Sequence, residues 1–222
     1  MFIGHFAAGL AAKRFAPAVS LGTLFLATQF ADLLWPVLVL SGIERVRIVP
    51  GITRVTPLSF EHYPWSHSLL LLMIWGMVFG VVYSIARRSR RDAAVVLGLG
   101  VISHWLLDFL VHRPDLPLVP GGGPKLGLGL WNSVGMTLLL EFSFFAAGMV
   151  LYLRSTEPRN HRGRWLLVGL AVFLALVQLA NVFGPPPPDS GSVAMAGLSM
   201  WLLVGWGYWI DRNRTTRSVT KW

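Results

Sequence analysis

Ionisable side chains interrupt apolar stretches of this 222-residue chain. Such groups are costly to place in hydrocarbon and usually mark a functional site, so they are the first candidates for chemistry. Histidine and carboxylate donors, in a chain with no cysteine, suit Zn²⁺, Mn²⁺ or Fe²⁺ and exclude thiol catalysis and disulfides. The residues are His5, Asp32, His104, Asp108 and Glu141, with His62 and His67 beside an apolar run.

The spacing of these residues predicts that they share one layer of the protein. His104 and Asp108 stand at positions i and i+4, which places both side chains on one helix face. Counting about 1.5 Å per residue from the cytoplasmic edge places the intramembrane His, Asp and Glu residues roughly 18–26 Å above that edge. We therefore predict a metal or proton site, in which Asp108 or Glu141 orients water or moves a proton.

His62 and His67 form a second pair near the opposite membrane face. Pro64 keeps His62 out of the following helix, and Ser66 is a suitable N-cap, so His67 is expected in the first helical turn. This arrangement predicts that the two imidazoles approach the same point and act together as metal ligands.

Two other polar pairs leave alternatives open. His112 and Asp115 fit either an ordinary interfacial role or the rim of the site. Gln178 and Asn181 fit either an interhelical polar contact or a hydrogen-bonding role behind the ligands.

The elements that position these residues are apolar helices. Hydrophobic residues make up 54% of the chain and charged residues 13%, against about 25% charged in soluble domains, which excludes a soluble globular enzyme. We predict an all-α, polytopic membrane bundle with six spans, preceded by a half-length helix in residues 1–16. Residues 1–222 are expected to form one domain, with the metal site in 1–120 and supporting helices in 121–222. The apolar runs are 18–42, 65–86, 93–112, 130–153, 165–184 and 192–210.

The basic residues indicate how the bundle is oriented. The net charge of +9 would suit nucleic acid in a soluble protein, but here the basic residues cluster in short loops, and we expect no nucleic-acid partner. The positive-inside rule places both termini and loops 87–92, 154–164 and 211–222 in the cytoplasm, with 113–129 and 185–191 outside. This topology predicts an integral membrane protein, and a resemblance in residues 1–120 implies that the membrane is a bacterial or archaeal inner membrane.

Residues 1–120 resemble a known family through four motifs in order: His5, Asp32, HYPWSHS at 62–68 and SHWLLD at 103–108. The family is that of the LexA-binding, inner membrane-associated hydrolases, the YdjM-like membrane-bound metal-dependent hydrolases. It is related to zinc-dependent phospholipase C and the single-strand nucleases, in which a helical fold holds up to three zinc ions.

The resemblance implies a set of metal ligands. One family motif, Pro-Asp-x-Asp-His, reads Ala31-Asp32-Leu33-Leu34-Trp35 here and lacks its second carboxylate and its histidine. Leu34 and Trp35 occupy the two positions of the missing groups. Three interpretations stay open: the site holds fewer metals, Glu141 replaces the missing carboxylate, or the chain is an inactive homologue. The ligands implied by the resemblance are His5, Asp32, His62, His67, His104 and Asp108.

We therefore expect a membrane-embedded metal-dependent hydrolase with Zn²⁺ as the favoured metal. Its expected substrate is a phosphoester of a membrane lipid or lipid-linked molecule, cleaved by metal-activated water. A metal-ion or proton-coupled transporter is the alternative, since buried carboxylates and histidines also serve such pathways. A non-catalytic membrane protein with a structural metal is a third possibility.

Overall fold

A computed structural model describes residues 1–88 and 91–217 of the chain. Parts of the predicted cytoplasmic loops 87–92 and 211–222, namely residues 89–90 and 218–222, lie outside the described residues. The described helices are α1 (Ile3–Ala12), α2 (Leu21–Thr28), α3 (Phe30–Leu40), α4 (Pro64–His67), α5 (Leu69–Arg87), α6 (Arg91–Val111), α7 (Val134–Ser155), α8 (His161–Phe183), α9 (Ser190–Leu198) and α10 (Met200–Arg212). A short 3₁₀ turn covers Leu130–Asn132.

The predicted all-α membrane bundle is confirmed. Five helical segments are long and apolar enough to cross a bilayer: α5, α6, α7, α8 and the continuous pair α9–α10. The pair α2–α3 adds a sixth if it is one bent span. Large apolar side chains such as Leu139, Leu176 and Leu202 are exposed on the outside of the bundle, as expected for helices that face lipid.

The segment predicted as one span over 18–42 is broken. Its two helices, α2 and α3, meet at Gln29 at an angle of 57°. Near the break the Thr28 hydroxyl donates to the carbonyl oxygen of Leu24 at 3.2 Å, a back-bond that bends helices. The break directs Asp32, in the first turn of α3, along a new helix axis.

Short strands that hydropathy did not predict connect the helices. In the described residues the strands form antiparallel pairs, and the first pairs Ile48 with Leu58 and Arg45 with His62. Two of these pairs are hairpins, β1 (Arg45–Ile48) with β2 (Leu58–His62) and β3 (Leu116–Pro117) with β4 (Lys125–Leu126). A further pair joins β5 (Thr156–Pro158) to β6 (Arg214–Thr216), which α8, α9 and α10 separate along the chain.

Close glycine contacts set the distances between helices. A Cβ atom at Gly76 would lie 2.7 Å from the Gly98 carbonyl oxygen, and one at Gly80 would lie 2.8 Å from that of Ala94. This GxxxG pair therefore lets α5 pack tightly on α6, as its sequence indicates. Likewise Gly148 of α7 faces the backbone of Ala7, so α7 lies directly against α1.

The half-length helix α1 lies in the centre of the protein rather than at its surface. Ile3, Phe6 and Leu10 are fully buried, in a core that α7, α8 and α10 also build. At the C-terminal end of α1, the buried Lys13 ammonium donates to Asp211 of α10 at 2.8 Å. The short N-terminal helix is thereby held in place, with its first turn next to α6.

Candidate metal centre

Five of the sequence-predicted residues come together from four helices. His5 of α1, His104 and Asp108 form one group of His and Asp ligand atoms lying within 4.8 Å of one another. Asp32 of α3, His67 of α4 and His104 form a second such group. Because His104 belongs to both groups, the two are parts of one cluster.

The Asp108 carboxylate is central to this cluster. Its Oδ1 atom lies 3.0 Å from Nε2 of His5. Its Oδ2 atom lies 3.3 Å from Nε2 of His104, 3.8 Å from Nε2 of His67 and 3.7 Å from Nε2 of His112. Three imidazole nitrogens therefore face one carboxylate oxygen.

Asp32 supplies a second carboxylate to the same imidazoles. Its Oδ1 atom lies 3.5 Å from Nε2 of His67 and 3.6 Å from Nε2 of His104. Asp108 is 2% exposed whereas the Asp32 side chain is 27% exposed. Asp32 is thus the carboxylate of the cluster that an incoming molecule reaches more readily.

The hydrogen bond to the Thr28 carbonyl determines which tautomer His104 adopts when its ring is neutral. The carbonyl oxygen lies 3.0 Å from Nδ1 and accepts the Nδ1–H bond, so Nε2 carries the lone pair. Nε2 is buried and has no hydrogen-bond partner among the described residues. A histidine held this way by a backbone carbonyl has the arrangement common to metal ligands.

A chain of hydrogen bonds orients His67 in the same sense. The Ser66 hydroxyl donates to Glu44 at 2.6 Å, so its oxygen is left to accept the Nδ1–H of His67 at 2.7 Å. The Ser66 amide also donates to Glu44, and all three residues are buried. His67 therefore presents its Nε2 lone pair to Asp32 and Asp108.

His112, whose role the sequence left open, is part of the cluster. Its Nδ1–H donates to Asp115 at 2.9 Å, which leaves its Nε2 lone pair toward Asp108. Arg113 and Tyr63 also donate to Asp115. Burial acts to raise the pKa of the Asp115 carboxyl, but the bonds from His112 and Arg113 outweigh it, so this pKa lies below its usual value and the group is a carboxylate.

These tautomers provide a test of whether the residues fit a metal ion. When these rings are neutral, their lone pairs face carboxylate oxygens at 3.3–3.8 Å and repel them, and either a proton bound by the ring or a metal cation between the two groups removes that repulsion. Histidine nitrogens and carboxylate oxygens without thiolate are the donors of many Zn²⁺, Mn²⁺ and Fe²⁺ sites. The residues present therefore fit a divalent transition metal.

His5 stacks on His104 instead of joining the ring of lone pairs around Asp108 Oδ2. The two rings lie 3.6 Å apart at 9°, and His5 Nδ1 has no partner in the described part of the chain. The amino group of Met1 also contacts Asp108 Oδ1. His5 therefore contacts the Oδ1 atom of Asp108, whereas His67, His104 and His112 face its Oδ2 atom.

Glu141 caps α1. Its Oε2 accepts the backbone N–H groups of Phe2, Ile3 and Gly4 at 3.0, 2.9 and 3.4 Å. The first N–H groups of a helix lack partners within the helix, and a carboxylate there is favourable. Glu141 thus positions His5 rather than joining the His and Asp groups, and its predicted catalytic role stays a prediction.

The structure does not bring His62 into the cluster. This residue ends β2, where its side chain is exposed, and it is absent from the groups of ligand atoms. The expected N-cap was also wrong, because α4 begins at Pro64 and Ser68, not Ser66, caps the long helix α5. The chain between β2 and α5 turns the buried Tyr63 and His67 inward and leaves His62 facing outward.

A cavity of about 660 Å³ opens beside the cluster. Its floor includes Asp32, His67, Asp108 and His112. Its other walls come from α3, α8, α9 and α10, from β2 and the loop before it, and from the 3₁₀ turn. They include Trp35, Arg54, Phe60, Trp131, Phe173, Val177, Gln178, Asn181, Met200 and Leu203.

Comparisons of the chain with family models, with curated proteins and with solved structures found no match. The site is therefore interpreted from its own geometry.

Proposed function

We propose that this protein is a membrane-embedded, metal-dependent hydrolase that acts on a phosphoester of a lipid or lipid-linked molecule. The observation that carries the proposal is the set of imidazole lone pairs directed at Asp32 and Asp108 on the floor of a large cavity. A structural metal would need no such cavity next to its ligands.

His67, His104, Asp32 and Asp108 would hold the metal, and Zn²⁺ suits this donor set best. A bound divalent cation supplies a nucleophilic water at neutral pH and neutralises charge on a phosphoryl group. Thr28 and Ser66 keep the imidazoles in the tautomer that binds a cation. His5 and Glu141 keep Asp108 and the start of α1 in place.

Asp32 is the residue best placed to orient the attacking water. It lines the cavity, is the more exposed of the two carboxylates, and accepts protons or hydrogen bonds as a carboxylate. Asp108 is nearly fully enclosed by imidazoles, which suits a ligand more than a proton carrier.

The walls of the cavity support a lipid substrate. Aromatic and aliphatic residues from α8 and α10 line it opposite the polar floor, and its volume lies within the range of about 300–1,000 Å³ typical of small-molecule sites. The bundle that contains the cavity is apolar on its outside, so a membrane lipid is the molecule available to it.

The clusters of basic residues support the orientation in which loops 87–92, 154–164 and 211–222 lie in the cytoplasm of a bacterial or archaeal cell. In that orientation the metal centre lies toward the outer leaflet, since His67 precedes α5 and Asp108 is close to the end of α6.

The test is hydrolysis by the purified full chain in detergent. Zn²⁺ or Mn²⁺ is added together with a panel of phospholipids and polyprenyl phosphates, and release of phosphate or head group is measured. We expect release by the wild type, loss in Asp108→Asn, and no change in His161→Ala, whose histidine is exposed at the start of α8. Release that persists in Asp108→Asn would exclude this site as its source.

One observation favours a second function, metal-ion or proton transport. The helix pair α2–α3 is bent by 57° immediately before Asp32, and interrupted helices next to buried carboxylates are typical of transporters. Metal- or proton-dependent flux in proteoliposomes, without hydrolysis of any lipid phosphate, would establish this alternative.

A further inference from the structure

His112 contacts the cluster, whereas His62, the ligand that the sequence motif implies, does not. It directly follows α6, is 2% exposed, and lines the cavity together with Asp108. His104, Asp108 and His112 are spaced by four residues, so all three side chains lie on the same face of α6 and its extension. His62 is exposed at the end of β2.

The distances around Asp108 fit a shared ion. The Nε2 atoms of His104, His112 and His67 lie 3.3, 3.7 and 3.8 Å from Oδ2 of Asp108. Two ligand atoms that each bind one Zn²⁺ at about 2.0–2.2 Å are roughly 3–4 Å apart. His112 therefore matches the two histidines assigned above in its distance to Asp108 Oδ2, although, unlike them, it does not belong to the groups whose ligand atoms all lie within 4.8 Å of one another.

The second nitrogen of His112 is also held as in a metal ligand. Nδ1–H donates to Asp115 at 2.9 Å, and a histidine that donates to a carboxylate is oriented and made more basic. Asp115 is itself held by Nε of Arg113 at 2.9 Å and by the Tyr63 hydroxyl at 3.3 Å. These bonds anchor the His112 ring to the chain segments that follow β2 and precede β3.

We propose that His112 is a direct ligand of the metal centre and that Asp115 is its positioning residue. This inference rests on the proposed metal site but not on the identity of the substrate. It replaces the ligand set implied by the sequence motif with one in which His112 stands where His62 was expected.

The alternative is that His112 serves only packing. Its ring lies 4.1 Å from that of Trp131 and 5.0 Å from that of Phe60, so it also contributes to an aromatic cluster. A packing residue would affect stability and leave metal affinity unchanged once the variant is folded. The two roles therefore differ in a measurement that does not depend on turnover.

The experiment measures Zn²⁺ content and affinity of the purified full chain by elemental analysis and by competition with a chelating dye. The variants are His112→Ala, Asp115→Asn, His62→Ala and His161→Ala. We expect Asp115→Asn to lower Zn²⁺ affinity by about 10–100-fold, as the loss of a histidine's carboxylate partner usually does. His112→Ala should lower it further, and His62→Ala and His161→Ala should match the wild type.

Two added measurements separate ligation from misfolding. The absorption spectrum of the Co²⁺ protein reports the ligand set and should change in His112→Ala. Because His112 lines the cavity, imidazole added to His112→Ala should restore part of the affinity. If His112→Ala does not fold, the Zn²⁺ affinities of His112→Gln and Asp115→Asn are compared with that of the wild type, each at a temperature equally far below its own thermal midpoint.

The outcomes separate this inference from the proposed function. Wild-type affinity in folded His112→Ala, or a loss in His62→Ala instead, overturns the inference while leaving hydrolysis possible. Zn²⁺ binding that depends on His112 without hydrolysis of any phosphoester supports the inference and counts against the proposed function. A wild-type protein that binds no divalent metal overturns both.

Discussion

The carbonyl oxygen of Thr28 accepts the Nδ1–H of His104 across the interface between α2 and α6, at 3.0 Å. Carbonyl groups in the last turn of a helix lack partners within that helix, and Thr28 is the last residue of α2. The break at Gln29 thus provides both a backbone acceptor for His104 and a new direction for Asp32. One irregularity in a membrane helix positions two residues of the cluster.

The chain from Glu44 through Ser66 to His67 predicts that Ser66 is needed for metal affinity. Ser66→Ala removes the acceptor of the His67 Nδ1–H, and the loss of such a partner usually costs about 10–100-fold in affinity. Zn²⁺ titration against a chelating dye measures the change. Ser103→Ala is the matched control, because in the described part of the chain the Ser103 hydroxyl bonds the Gly100 carbonyl of its own helix, α6, and no member of the cluster. Equal affinities in the two variants would contradict the assigned role.

Glu141 is expected to contribute to stability through its cap on α1. A hydrogen bond to a charged group contributes about 1.5–3 kcal/mol, and because the three N–H groups share one carboxylate oxygen we count them as one such bond, so Glu141→Ala should lower the free energy of unfolding by about 2–3 kcal/mol. Glu141→Gln keeps an acceptor and should lose less.

The thermal midpoint in detergent measures this loss, and Glu157→Ala, at an exposed position on β5, serves as the control. A Glu141→Gln protein with wild-type stability and no turnover would instead support the catalytic role predicted from the sequence.

The close contact between α7 and α1 predicts that alanine destabilises the protein at Gly148, in contrast to alanine at Gly205, which lies outside this contact. A Cβ at Gly148 would lie 2.4 Å from the carbonyl oxygen of Ala7, so Gly148→Ala should destabilise by about 1–3 kcal/mol through overpacking. An added Cβ at Gly205 in α10 would have no neighbour within 4 Å among residues 1–88 and 91–217, and Gly205→Ala should be neutral or stabilising by up to about 1 kcal/mol. Unfolding midpoints of the two proteins compare them directly, and a Gly148→Ala protein as stable as Gly205→Ala would refute the contact.

The topology is testable because the chain has no cysteine. Gly122→Cys in the outer loop and Arg159→Cys before α8 are both at exposed positions. A membrane-impermeant thiol reagent added to intact cells should label the first and should label the second only after the membrane is opened. Labelling of both from one side would exclude the proposed orientation.

The parts of the site that sequence reasoning predicted are those governed by helical periodicity. His104 and Asp108 share a face of α6 because four residues make about one turn, and α1 is short because Lys13 and Arg14 end its apolar run. Hydropathy also located the long helices, although the segment 192–210 is divided at Ser199 into α9 and α10.

The misplaced residues depend on contacts that periodicity does not encode. His62 lies on a strand because residues 58–62 pair with residues 45–48 in a hairpin, a contact that helical periodicity does not indicate. His112 was undecided because its helix ends one residue earlier, and only the partner Asp115 and the position of α6 turn its ring toward Asp108. A histidine four residues after the His-x3-Asp motif was the available signal.

The cavity has its polar floor and its apolar far wall in separate stretches of the chain. The histidine and aspartate ligand atoms of the cluster lie within residues 5–112, whereas Phe173, Val177, Met200 and Leu203 belong to α8 and α10. Under the proposed function, the groups that react with a substrate and the apolar groups that select it can therefore be varied independently. We expect a mutational library confined to α8 and α10 to change which substrates are accepted while the histidines and aspartates stay untouched.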